Sequence, residues 1–85
     1  MYYCYILFSN SINKHYIGIT ENVYQRLNDH NTGISKWTKN KGPWALVWQK
    51  EFPNLSEARK FENLLKRQKG GSGFYRLTGI IKQGS

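Results

Sequence analysis

Apolar residues recur along this chain with two different periods. Residues 2–8, YYCYILF, are apolar and aromatic without helical spacing, which predicts a mostly buried strand. Ser9-Asn10-Ser11-Ile12-Asn13-Lys14 is rich in turn formers. Residues 15–19, HYIGI, predict a second strand, near enough to pair with the first as an antiparallel hairpin. Gly18 weakens that strand and marks a close approach of a ligand or another backbone. The spacing then turns helical. Val23, Tyr24 and Leu27 form one apolar stripe, predicting a helix over 21–30 with Thr20 as its cap, Glu21 in its first turn and Gly33 as its stop. Residues 31–43 read as a loop, and residues 44–50, WALVWQK, as a third strand between Pro43 and Pro53. Asn54 and Glu57 have capping-box spacing ahead of a helix over 55–69, whose buried stripe is Leu55, Ala58, Phe61, Leu64 and Leu65. Gly70-Gly71-Ser72-Gly73 breaks it. Phe74, Leu77, Ile80 and Ile81 predict a last short helix.

The order β-β-α-β-α-α predicts an α/β (α+β) fold: a small three-stranded mixed or antiparallel sheet with flanking helices. At 85 residues, with no internal repeat or dividing linker, the chain reads as a single domain over 1–85. Its core must be thin, and thirteen aromatic residues compensate by burying a large area each.

Composition narrows the partners. Thirteen Lys and Arg against five Asp and Glu give a net charge of +8, which points to a polyanion, nucleic acid before an anionic membrane surface. No purely apolar run, Ile6-Leu7-Phe8 included, is long enough to span a bilayer, and Met1-Tyr2-Tyr3-Cys4-Tyr5 lacks the basic and long apolar regions of a signal peptide. Cys4 is the only cysteine, so no internal disulfide forms; reducing, cytoplasmic surroundings are expected, with Cys4 buried and inert. No phosphate-binding glycine loop, dinucleotide fingerprint, nucleophile elbow or zinc spacing is present.

The polar residues at element edges carry a more specific signal. Tyr16-Ile17-Gly18 stands in the second strand, Tyr5 eleven residues before Tyr16, Arg26 ten after it on the first helix, and Glu62 in FENLLK on the second. This ordered set resembles the GIY-YIG nuclease domain, and most of all its small single-domain bacterial members, over residues 2 to about 69. Tyr3-Cys4 replaces Gly-Ile in the first triplet, and no Asn follows Asn63, where many family members have one beyond the metal-binding Glu.

The resemblance implies an endonuclease that hydrolyses a DNA phosphodiester with one divalent metal, Mg²⁺ or Mn²⁺. It implies that Glu62 is the protein ligand of that metal and that Arg26 contacts the scissile phosphate. Tyr16, supported by Tyr5, then orients or deprotonates the attacking water. The chemistry is coherent. A guanidinium offers fixed bidentate donors to the charge that builds on phosphate oxygens, and a hard metal held by one carboxylate keeps waters and takes substrate oxygen. Tyrosine is a weak base at its ordinary pKa of about 10, so the sequence leaves open whether Tyr16 takes the proton or only positions the water. His30, one turn after Arg26, is a further candidate for touching phosphate or water.

Each residue also has an ordinary reading. Tyr5 fits a core, Arg26 a solvated helix face, His30 a helix end favoured by the dipole, and Glu62 an i,i+4 pair with Lys66. Lys36, Lys39 and Lys41 flank Trp37 on the loop, a surface suited to backbone contact with one stacking ring, and Lys66 belongs to the basic face of the second helix. Such contacts predict weak sequence specificity, with a protein partner supplying more. The alternative function is a non-catalytic nucleic-acid-binding module on the same fold.

Overall fold

The first strand dictates the layering. Successive residues of β1 (Tyr2–Ser9) point to opposite faces, yet Cys4, Tyr5, Ile6 and Leu7 are all buried, so both faces of the sheet must be covered. The computed structural model, which describes residues 1–33, 41–68 and 71–80, covers them with helices on either side. After β1 come β2 (Lys14–Thr20), α1 (Val23–Thr32), β3 (Ala45–Phe52), α2 (Leu55–Gln68) and α3 (Ser72–Thr78), the predicted order. The strands lie in the order β2-β1-β3 and both pairings are antiparallel. The β1–β3 register shifts between Ile6, opposite Trp48, and Leu7, opposite Leu46, which leaves Val47 as an inserted and exposed residue.

Two apolar clusters follow from the alternation. Cys4, Ile6 and Ile17 meet Leu65 of α2 and Phe74 of α3, with Trp48, Phe52, Phe61, Tyr75 and Ile80 packed around them. On the opposite face Tyr5 and Leu7 meet Val23 of α1 and Trp44, with Tyr3, Tyr16, Leu27 and Leu46 alongside. Trp44 is held from outside the sheet ladder. The Asn31 side chain donates through Nδ2 to the Trp44 carbonyl at 3.0 Å and accepts the Trp44 N–H through Oδ1 at 2.6 Å, so the end of α1 is tied to the entry of β3.

Several details depart from the sequence reading. The cap of α1 is Asn22, whose side chain accepts the Gln25 N–H at 3.1 Å, rather than Thr20. Thr20 is still in β2, opposite Tyr3, and its hydroxyl accepts the Asn22 N–H in the turn between. Tyr24 is 71% exposed, because the inward stripe of α1 is formed by Val23, Leu27 and His30. Leu55 is exposed at the first turn of α2, where the stripe proper begins at Ala58. Asn54 does cap that helix, accepting the Glu57 N–H at 2.9 Å. β3 continues to Phe52, and α3 stops at Gly79, whose φ of 75° ends the helix, the Gly79 N–H reaching the Tyr75 carbonyl at 2.9 Å. His15, half-buried, packs against Phe8 and Phe74 at ring separations of 4.7 and 5.2 Å. Among the described residues no helix is long and apolar enough to cross a membrane.

α3 is short, and its buried anchor is Phe74, which is fully inaccessible. Truncating Phe74→Ala should lower the unfolding free energy by about 3–5 kcal/mol, against about 0.5 kcal/mol or less for the exposed Leu77→Ala, both read from urea denaturation.

Candidate active site

The site is assembled on the β1–β2 hairpin. Tyr5 pairs with Gly18, and a Cβ built on Gly18 would lie 2.6 Å from the Tyr5 hydroxyl and 2.8 Å from its Cζ. The glycine is therefore the floor on which the Tyr5 ring lies. Tyr16, two residues before Gly18, projects from the same face, with its ring 6.3 Å from that of Tyr5. α1 packs over this face. Arg26 and His30 are four apart on it and so neighbour each other in space. His30 is 2% exposed, and its ring lies 4.7 Å from Tyr16 and 6.1 Å from Tyr5.

The polar contacts within this cluster determine one another. The Tyr5 hydroxyl lies 3.0 Å from His30 Nε2, and the Arg26 guanidinium is near enough for its charge to act on it. Which of the two donates in the Tyr5–His30 bond is set by the imidazole tautomer. Burial, reinforced by the Arg26 charge and opposed by Asp29, pulls the His30 pKa from 6.5 down to about 4. Burial, with Tyr16 and Glu62 adding to it and Arg26 opposing it, pushes Tyr5 up to about 12. Tyr5 thus stays protonated at neutral pH. Burial alone would weaken the Arg26 charge, but the Tyr5 hydroxyl, Tyr16 and Asp29 reverse this and raise its pKa. Asp29 Oδ2 lies 3.6 Å from the guanidinium, which remains about a third exposed.

Glu62 stands on α2, in the layer across the sheet. Its side chain is 13% exposed and pairs with the Lys66 ammonium at 3.3 Å, the i,i+4 arrangement anticipated as its ordinary reading. Its charge nonetheless reaches the hairpin, where it raises both Tyr5 and Cys4. Among the described residues there is no cluster of three His, Cys, Asp or Glu side chains around a possible metal. A single, nearly buried carboxylate fits only an ion that keeps water and substrate oxygens as its other ligands, which describes Mg²⁺. Lys66 is the cation now beside it.

Tyr5, Tyr16, Arg26 and His30 are thus brought into one cluster, and Glu62 acts on it through its field. Lys36, Trp37 and Lys39 lie outside the described residues. Lys41 is half-buried, and its backbone carbonyl accepts the hydroxyl proton of the buried Ser9 at 2.6 Å. Cys4 is fully buried, and burial pushes its thiol up to about 12, as expected of an inert cysteine. Two participants carry no sequence signal of their own: Asp29, which steadies Arg26, and Asn31, which fixes the end of α1.

Residues 1–74 match the GIY-YIG catalytic domain. A UPF0213 protein of Vibrio campbellii is 40% identical over 62 residues, which cover 72% of this chain and 60% of that protein. A structure-specific endonuclease subunit SLX1 homolog of Drosophila mojavensis is 39% identical over 71 residues, covering 72% of this chain and 23% of that protein. The solution NMR structure of the UPF0213 protein BH0048 of Bacillus halodurans superposes with a TM-score of 0.51 at 33% identity, over 82% of this chain and 76% of that one. The chain spans about half to two-thirds of the UPF0213 relatives' length, from 49% for that of Nitratidesulfovibrio vulgaris to 67% for that of Staphylococcus haemolyticus.

Two outcomes follow from the cluster. Gly18→Ala should cost about 1–3 kcal/mol in chemical denaturation, because the new methyl displaces the Tyr5 ring. The second concerns pH. His30 takes up a proton near 6.5 when unfolded but only near 4 when folded, so between these values the unfolded state binds more protons. Stability is then complete above 6.5 and falls as pH drops towards 4. Thermal melts should show this slope in the wild type and a flatter one in His30→Gln.

Proposed function

Because the chain belongs to the GIY-YIG family, we propose that it is a metal-dependent endonuclease that hydrolyses a phosphodiester of DNA. The observation that carries this reading is the single cluster formed by Tyr5, Tyr16, Arg26 and His30 around one buried hydroxyl. Arg26 is charged, held by Tyr5 and Asp29, and exposed enough to reach a ligand. Those are the properties of a preorganised donor to the nonbridging oxygens, where charge develops as water attacks phosphorus and the bond to the leaving sugar oxygen breaks.

Burial pushes the Tyr5 hydroxyl up to about 12, which argues for Tyr5 as a positioning group rather than the base. Its role is to orient Arg26 and His30. Tyr16, half-buried against His30, is left to position the water or accept its proton. Glu62 is the residue that would hold Mg²⁺ or Mn²⁺, an ion that lends Lewis-acid charge to the phosphate when bound. The name of the Drosophila relative, a subunit of a structure-specific endonuclease, supports DNA with a structural rather than a sequence signature as substrate, and a protein partner for specificity.

A second reading, a nucleic-acid-binding module without catalysis, is favoured by one observation: Glu62 is nearly buried and already paired with Lys66. Plasmid and branched-DNA nicking separates the two. Arg26→Ala and Glu62→Ala should each lower Mg²⁺-dependent cleavage about a hundredfold or more, and EDTA should abolish it. Unchanged cleavage in both variants sinks the assignment. Salt-sensitive binding without any cleavage by the wild type selects the module.

A further inference from the structure

Arg26 has a second environment. Beside the cluster, a groove of about 450 Å³ opens between the N-terminal half of α1 and the first turns of α2. The end of β2, with Ile19 and Thr20, contributes to it; Asn22 and Arg26 line it from α1; Leu55 and Arg59 line it from α2. The two guanidiniums reach this one space from different elements. Two carboxylates also line it, Glu21 and Asp29; Glu21 is exposed and Asp29 is engaged by Arg26.

Arg59 is the cation of this groove whose charge is not already used. On α2, Lys60 pairs with Glu57 at 3.8 Å and Lys66 with Glu62 at 3.3 Å, whereas Arg59 makes no ion pair among the described residues. Helical spacing gives its position a direction. Leu55, Arg59, Glu62 and Lys66 succeed one another at intervals of four, three and four and form one stripe of α2. Arg59 therefore stands about one turn, some 4.5 Å along the helix axis, from the position of the candidate metal ligand Glu62. The groove is the continuation of the catalytic cluster, and its far wall presents a planar five-donor fork suited to a phosphate.

We propose that this groove is a second phosphate subsite, in which Arg59 takes a phosphate neighbouring the one that Arg26 contacts and so sets the direction in which the bound strand leaves the site. This rests on the nuclease reading for the role of Arg26. The ligand class is a flexible phosphodiester strand. Asn22 and Thr20 add neutral polar groups along the groove, and Leu55 together with Ile19 gives an apolar surface for sugar carbons.

Binding and cleavage are measured separately to test it. Fluorescence anisotropy of a labelled forked DNA, in EDTA and across a NaCl series, is compared for wild type, Arg59→Ala, Arg59→Lys and Arg76→Ala, the last removing one exposed charge from α3. Arg59→Ala should weaken binding severalfold and reduce the slope of log affinity against log salt by about 1. Arg59→Lys should keep the wild-type slope, and Arg76→Ala should leave both quantities unchanged. An unchanged slope in Arg59→Ala overturns the subsite, as does an equal fall in Arg76→Ala, which would mean that only net charge matters. Cleavage of the same DNA with Mg²⁺ is read in parallel. A wild type that binds without cutting, with the slope reduced in Arg59→Ala, leaves the subsite standing and removes the nuclease reading. A wild type that cuts, with the slope unaffected, does the reverse. A wild type with no binding at about 50 mM NaCl removes both.

Discussion

A phenol hydroxyl buried at the middle of the central strand has to be satisfied from within the protein, and much of the site follows from that need. Tyr5 is 1% exposed and can lie flat only because its partner in β2 is Gly18. Its hydroxyl bonds His30 Nε2 and lies within the field of the Arg26 guanidinium, so it relates the imidazole and the guanidinium to each other. Both groups come from α1, so the same contacts that satisfy the hydroxyl also fix how the helix is docked on the sheet. The geometry of the candidate site and the packing of the helix are, at this point, a single set of contacts.

The remaining layer has a different character. α2 and α3 cover the face of Cys4 and Ile6 with aliphatic and aromatic contacts, Leu65 and Phe74 at the centre and Phe61 stacked against Trp48. Glu62 sits within this apolar layer, which is why its charge, balanced by Lys66, extends as far as Tyr5 instead of being lost to solvent. The sheet thus separates a hydrogen-bonded half from an apolar half, with one carboxylate acting across it.

The fold was legible where periodicity carries the signal. YYCYILF had no helical spacing and became the doubly buried β1; the Ala58–Leu65 stripe became the inner face of α2. What escaped were the places where a side chain bonds to backbone or crosses between elements. Thr20 and Asn22 are both good caps, and only the length of β2 decides between them. Tyr24 has the right spacing for a stripe that proves one residue narrower. The Asn31 clamp on Trp44 spans thirteen residues and leaves no periodic trace. At the site, Tyr5, Tyr16, Arg26 and Glu62 were readable as an ordered set, and His30 from its distance to Arg26. Asp29 and Arg59 look like any charged helix residue until the opposing helix is in view, and Lys36, Trp37 and Lys39 fall outside the described residues.

The inserted Val47 has a bearing on solubility. A sheet ordered β2-β1-β3 leaves β3 with one row of backbone donors and acceptors facing outward, a template on which another chain could add a strand. The extra residue interrupts the regular repeat of that row, and the exposed Lys50 and Glu51 put opposite charges along it two and three positions beyond the paired Trp48. A stranger's strand would have to match a kink and bury both charges to continue the sheet. Among the described residues, that local irregularity makes the β3 edge a poor template for a further strand.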